Sequence, residues 1–161
     1  MSPSLLGFQA PLLRAVAESL HLPKITAVAR EPGMQAVYRI TIHYYDRRFC
    51  DSVGTLRHKL TTGAALTMHY QRALSDKPLT HTLLPRRCQE WAHTLQRLRF
   101  DSLPDQPGLP DYDATDLWLI ERAAGSFTKS VIVAPDLATG GHADLVAAVR
   151  AHLPETLRAV K

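Results

Sequence analysis

The feature that most limits the fold is a change of period near residue 85. Over about 37–83 apolar residues recur at every second position; over about 85–99, at every third or fourth. Tyr38, Ile40, Ile42 and Tyr44 share one side of an extended chain, and Arg39, Thr41, His43 and Tyr45 share the other. The second set is short-chained or aromatic as well as charged, so that face is expected to be partly covered. Asp46-Arg47-Arg48 reads as a tight hairpin connection and Phe49 to Lys59 as the return strand, with Cys50 on it. Gly54 marks a bulge or a close approach. Thr62-Gly63 turns the chain, Ala64 to Leu74 alternates again, and Asp76-Lys77-Pro78 leads to a fourth strand at Leu79 to Leu83. The result is an antiparallel meander over about 37–83.

Pro85 suits a first helical turn. Cys88, Trp91, Ala92, Leu95 and Leu98 then mark one face of a helix over about 85–99. An earlier helix over about 11–21 carries Pro11 in its first turn, Leu13, Val16 and Ala17 on its apolar side, and a stop at Pro23. Lys24 to Arg30 alternates Ile25 and Ala27 with Thr26 and Val28, and reads as a short strand. Residues 101–116 hold Pro104, Pro107, Gly108 and Pro110 and read as a loop. A hairpin over about 117–134 turns at Ala124-Gly125-Ser126, and a last helix covers about 142–153. The expected fold class is α+β: one domain with a largely antiparallel sheet and two or three helices packed on one face. Trp91, Leu95, Leu98, Trp118, Ile120, Val131, Val133, Leu145 and Val149 are the expected core. Both sides of a given strand are not expected to be buried together.

Composition narrows the class. The chain has 161 residues, 45% apolar and 21% charged, enough to bury a core without staples. No apolar run reaches membrane-spanning length. The N-terminus lacks the basic start and apolar stretch of a secretory signal, so a cytoplasmic protein is expected. Two cysteines are too few for a disulfide scaffold or a cysteine-based zinc site. The net charge is +4. Residues 1–99 carry fourteen Lys and Arg against six Asp and Glu, a balance of +8, and residues 100–161 balance to −4. Such asymmetry implies either a basic face for an acidic partner or two complementary surfaces meeting inside one fold.

Catalytic signatures are sparse. His43, His69 and His81 fall on neighbouring strands and are the metal-ligand candidates, but no HExxH motif accompanies them. Asp111, Asp113 and Asp116 lack the glycine and glutamate of a calcium loop, and Asp116 reads as a charged residue opening a strand. No Gly-x-Ser-x-Gly elbow is present. Gly140-Gly141 precedes a helix without a following Lys-Ser or Lys-Thr. Cys88 lies on an apolar helix face and reads as core. The chain is therefore expected to be non-enzymatic and to need no cofactor, with an enzyme of unrecognised site as the third reading. Nucleic acid is the alternative partner. Arg47, Arg48, Arg57, Lys59, Arg72, Lys77, Arg86 and Arg87 interleave with Tyr44, Tyr45, Phe49 and Tyr70 in a basic segment over 39–99, as in sheets that stack bases. Arg86 and Arg87 occupy a first helical turn, where positive charge is mildly unfavourable. A contact with a partner would explain that placement.

Residues 85–153 also follow a familiar order. A helix runs into Leu98-Arg99-Phe100-Asp101-Ser102-Leu103-Pro104, and a Pro- and Asp-rich loop leads to Asp111-Tyr112. The strands Leu117-Trp118-Leu119-Ile120-Glu121 and Ser130-Val131-Ile132-Val133 precede a final amphipathic helix. This layout resembles the emfourin-type inhibitors of thermolysin-like metallopeptidases. The resemblance implies a mixed sheet-and-helix fold and a protein that binds another protein. The N-terminal helix and the basic first half depart from those inhibitors, so no inhibitory residue is carried over. The leading expectation is a non-enzymatic, protein-docking regulator or inhibitor. Its contact surfaces are the Asp46–Arg48 connection and the 101–116 loop. The partner-binding candidates are Arg47, Arg48, Arg57, Lys59, Arg86, Arg87, Asp111 and Asp113.

Overall fold

The alternating segment becomes the inner strand of a six-stranded antiparallel sheet. The computed structural model describes residues 9–60, 63–71 and 77–158. Along the chain these form α1 (Gln9–Ser19), α2 (Ile25–Ala29), β1 (Met34–His43), β2 (Ser52–Lys59), β3 (Gly63–Tyr70), β4 (Leu79–Leu83), α3 (Pro85–Arg97), β5 (Leu117–Ala124), β6 (Phe127–Val133) and α4 (Gly140–His152). The strand order is β4-β3-β2-β1-β5-β6. The architecture is α+β. No helix among the described residues is long and apolar enough to cross a membrane. The turn residues Thr62 and Asp76, and Arg72, lie outside the described residues.

Side-chain alternation sorts the sheet into two faces. On the first, Tyr38, Ile40, Ile42, Leu56, Leu66, Met68, Trp118, Ile120, Val131 and Val133 meet Cys88, Trp91 and Leu95 of α3 and Leu145 and Val149 of α4. Trp91 is fully buried and meets Tyr38 edge-on, with centroids 5.8 Å apart and planes at 80°, the geometry aromatic quadrupoles favour. Burial pushes the Cys88 thiol up to about 11, so it stays protonated and packs as a small apolar group. The expected core residues are all here, with Leu98 partly buried.

The second face is covered as well. Leu13 of α1 packs on Leu117, Leu119 and Ile132, and Ile25, Val28 and Ala29 of α2 pack on Val37 and Ala123. β1 is thus buried on both sides along Ala36–His43, which corrects the expectation that one side of each strand stays open. The reason is that β1 lies inside the sheet and is roofed by helices both above and below, as strands are in layered α/β folds. A second correction concerns Lys24 to Arg30, expected as a strand and folded as α2. Its buried residues Ile25, Val28 and Ala29 follow the i, i+3, i+4 spacing of a helix face. A third is the connection after β1, which is longer than a tight hairpin: residues 44–51 separate β1 from β2, and Cys50 sits in it, not on a strand.

Register places one polar rung across all six strands of the second face. Thr80, Thr67, Thr55, Arg39, Glu121 and Ser130 are successive partners from β4 to β6. At the β6 edge the 101–116 loop takes over the free backbone groups. Asp105 Oδ1 accepts from Ile132 N at 2.8 Å and Gln106 Oε1 from Ala134 N at 3.0 Å. Gln106 N donates to Ile132 O. The Ile132–Ala134 end of that edge is thereby closed to another strand.

Gly54 is the close approach its position suggested. A Cβ there would lie 2.8 Å from Met68 Sδ and 3.0 Å from Thr156 Cγ2. Gly54→Ala is expected to cost about 1–3 kcal/mol through overpacking, read as a lower urea midpoint at unchanged slope. Met68→Ala should cost less in the Gly54→Ala chain than in the parent, because the added methyl occupies part of the space that Met68 vacates.

Candidate functional site

The two loops singled out by sequence meet at one end of the sheet. β1 and β2 deliver residues 44–51 there, and the chain entering β5 delivers residues 109–116. Asp116 precedes β5 and is buried. Its Oδ1 accepts from Tyr45 N at 3.1 Å, and both its oxygens take Arg48 in a two-pronged pair, with Nη1 at 3.2 Å. Arg48 Nη1 also donates to Asp46 Oδ1 at 2.6 Å, and the guanidinium lies 5.0 Å from the Tyr44 ring centroid. The Asp116 carboxylate raises the already high Arg48 value further, the direction a bidentate partner imposes.

A second cluster lies beneath. His43 is 1% exposed. Its Nδ1 faces the Asp51 carboxylate at 3.0 Å and its Nε2 faces Tyr112 O at 2.7 Å. Both neighbours are acceptors, so satisfying both requires both ring nitrogens to donate. The Tyr112 ring stacks on the imidazole at 3.6 Å and 13°, and its hydroxyl donates to Asp51 Oδ2 at 3.3 Å. Burial, then the Asp51 charge, push the Tyr112 hydroxyl above its ordinary value. Asp51 Oδ1 also accepts from Tyr44 N. A His–Asp pair is the form a general base takes, but here Nε2 is occupied by a backbone carbonyl and the ring is covered. It cannot reach a substrate proton. The cluster fastens one loop to the other.

The histidine set does not converge. His43 and His69 lie on the second face, whereas His81 is the register partner of Leu66 and lies on the first. No group of three or more metal-ligating side chains occurs among the described residues.

The basic candidates are dispersed. Lys59 ends β2 and the 44–51 loop precedes its start, about 23 Å away at strand rise. Arg57 pairs with Glu31 at 3.5 Å and Arg86 with Glu90 at 3.1 Å. Arg87 crosses to the C-terminal end of α4. Its Nε and Nη2 donate to His152 O at 3.0 and 2.8 Å, and Nη1 donates to Glu155 Oε2 at 2.6 Å. This corrects the expectation of a partner contact at Arg87: the guanidinium serves the negative end of a different helix of the same chain. Among the described residues, the side chains of Arg47, Lys59, Asp111 and Asp113 form no hydrogen bond or ion pair, and all four are exposed. Sequence reasoning placed His43 among metal candidates and missed the His43–Asp51–Tyr112 set. Its members are 8 and 61 residues apart, a separation at which no periodic pattern survives.

No family model matches the chain, and no curated protein matches it significantly.

Asp116→Ala is expected to cost about 1–3 kcal/mol, because Arg48 and the Tyr45 amide lose their acceptor. Hydrogen exchange at the Tyr45 amide should accelerate more than exchange in β3. The Arg87 pair has a pH signature. Its hydrogen bond holds the Glu155 carboxyl below its ordinary 4.5, so the pair's stabilisation is present above about that pH and is lost as pH falls through the lower, folded value. Arg87→Met should be less stable than the parent by about 1–2 kcal/mol at pH 7, and the gap should narrow in acid unfolding curves at pH 3.

Proposed function

We propose that this protein is a non-enzymatic binding module that docks another protein through the loop end of its sheet. One observation carries the reading. The 44–51 and 109–116 loops are fixed to each other by a two-pronged ion pair and a stacked His–Tyr pair, while Tyr45, Arg47, Asp111 and Asp113 project from them exposed. Tyr45 is 43% exposed although its amide is tied to Asp116. Arg47 sits at φ 60°, in the left-handed region that costs a side-chain-bearing residue free energy. A rigid support carrying a Tyr and an Arg is the composition of binding hot spots, with little ordering entropy left to lose on association. The resemblance of residues 85–153 to emfourin-type inhibitors points the same way, toward a regulator or inhibitor acting in the cytoplasm.

Nucleic acid receives less support. Arg48, Arg57, Arg86 and Arg87 are each engaged by a carboxylate, and the basic candidates stand at different ends and faces of the molecule.

The test compares the parent with the double variant Tyr45→Ala, Arg47→Glu. Immobilised parent should retain a discrete partner from nuclease-treated lysate, and the variant should retain at least about tenfold less, as for loss of two central contacts. Direct titration against a thermolysin-like metallopeptidase tests the inhibitor form. Equal retention by parent and variant would sink the docking surface, and a steeply salt-dependent mobility shift would favour nucleic acid instead.

A further inference from the structure

The second face is not roofed evenly. α1 covers its Leu117, Leu119 and Ile132 patch, and α2 covers Val37 and Ala123. Between the two helices a cleft of about 460 Å³ opens onto the polar rung, within the range of small-molecule sites. Arg39 and Glu121 form its floor, neighbours in register on β1 and β5.

Arg39 is 4% exposed and held in place. Nε donates to Thr55 Oγ1 at 3.2 Å and Nη1 to Pro23 O at 2.9 Å. Its other terminal nitrogen makes no hydrogen bond among the described residues. Glu121 makes none either, and the two are not paired within 4.0 Å. Burial pushes the Glu121 carboxyl up, while Arg39 and then Arg14 pull it down. Neither the free Arg39 nitrogen nor the Glu121 carboxylate is among the sealed, unpartnered polar atoms of the described residues, so both are open to the cleft. Here both lie against the same cleft and neither completes the other. The mouth adds Arg14, Lys24 and Lys129 against Glu18. Arg14 Nη2 is anchored on Ser130 Oγ at 3.2 Å.

These groups define a ligand by complementarity. The free edge of the Arg39 fork takes an acceptor, best a carboxylate. Glu121 beside it takes a donor. The cationic mouth takes a second negative group a few bonds away. We infer that the cleft between α1 and α2 binds a small dicarboxylic acid carrying an amino or hydroxyl group next to one carboxylate. The site is separate from the loop end, so either can fail without the other.

The experiment is a two-dimensional ¹H–¹⁵N titration of the full chain with L-glutamate, L-malate and succinate at constant ionic strength, to about 20 mM, beyond the millimolar Kd of weak small ligands. Glutamate or malate should give saturable shifts centred on residues 22–26, 39–41, 121 and 128–130. Succinate, which lacks the donor, should bind at least about tenfold more weakly, the worth of one hydrogen bond to a charged group. Preference for glutamate identifies an ammonium as the donor to Glu121, and preference for malate identifies a hydroxyl; both support the assignment. The double variant Lys24→Ala, Lys129→Ala removes only mouth charges. It should keep the parent's thermal midpoint within a few degrees and weaken binding about tenfold. Absence of saturable shifts, equal binding of succinate, or unchanged affinity in the mouth variant would each overturn the inference.

Discussion

Burial of β1 on both faces is the constraint on which the remaining structure depends. An inner strand with α3 and α4 below it and α1 and α2 above it has no tolerant side. A one-residue slip would exchange Ile40 and Ile42 for Arg39 and Thr41 in the main core, so register is set by the whole pattern at once. Its pairing with β2 and β5 then carries the order outward to both edges. The same constraint explains the polar rung. With Arg39 obliged to lie under the upper helices, its partners Thr55 and Glu121 must supply a polar environment, because an isolated guanidinium there would be prohibitively costly.

The basic and acidic halves of the chain meet at two ion pairs. Arg48 in the basic segment pairs with Asp116 in the acidic one, and Arg87 with Glu155. Each contact joins residues distant in sequence, and each fixes something specific. The first ties a loop to the start of β5, and the second ties α3 to the end of α4. What remains outside these pairs at the loop end is of mixed sign, with Arg47 beside Asp111 and Asp113. Such a surface selects a partner by arrangement more than by net charge.

Much of the fold was legible because periodicity reports which way a side chain faces. The meander, the 85–99 helix with Trp91 and Leu95, and the hairpin at Gly125, whose φ of 58° glycine adopts without strain, all follow from local pattern. Ile25–Ala29 misled because its residues are β-branched or small and the segment is too short for period to be decisive. Its helical form comes from the greasy patch at Val37 and Ala123 that it covers, a tertiary effect. The site was legible only in part. Arg47, Asp111 and Asp113 stand where loops were expected to act. The ties that hold them, His43 to Tyr112 and Arg48 to Asp116, cross long stretches of chain. The cleft was hidden for a related reason: Arg39 and Glu121 become neighbours only through the β1–β5 register, and a lone Arg in an alternating strand looks like a solvated face.

The close approach at Gly54 carries a consequence for synthesis. The notch left by its missing side chain is filled by Thr156, which is buried and donates to Leu153 O at 2.7 Å. The two positions are roughly a hundred residues apart, so the contact is among the least local in the fold. While a ribosome is still reading the codons for α4, the first face of β2 and β3 has no lid over this notch. Met68 and Leu66 then have α3 beside them but not yet the chain that closes the notch. The nascent protein therefore has a defined vulnerable interval, between the emergence of the meander and the arrival of residue 156, in which holding by a chaperone matters most.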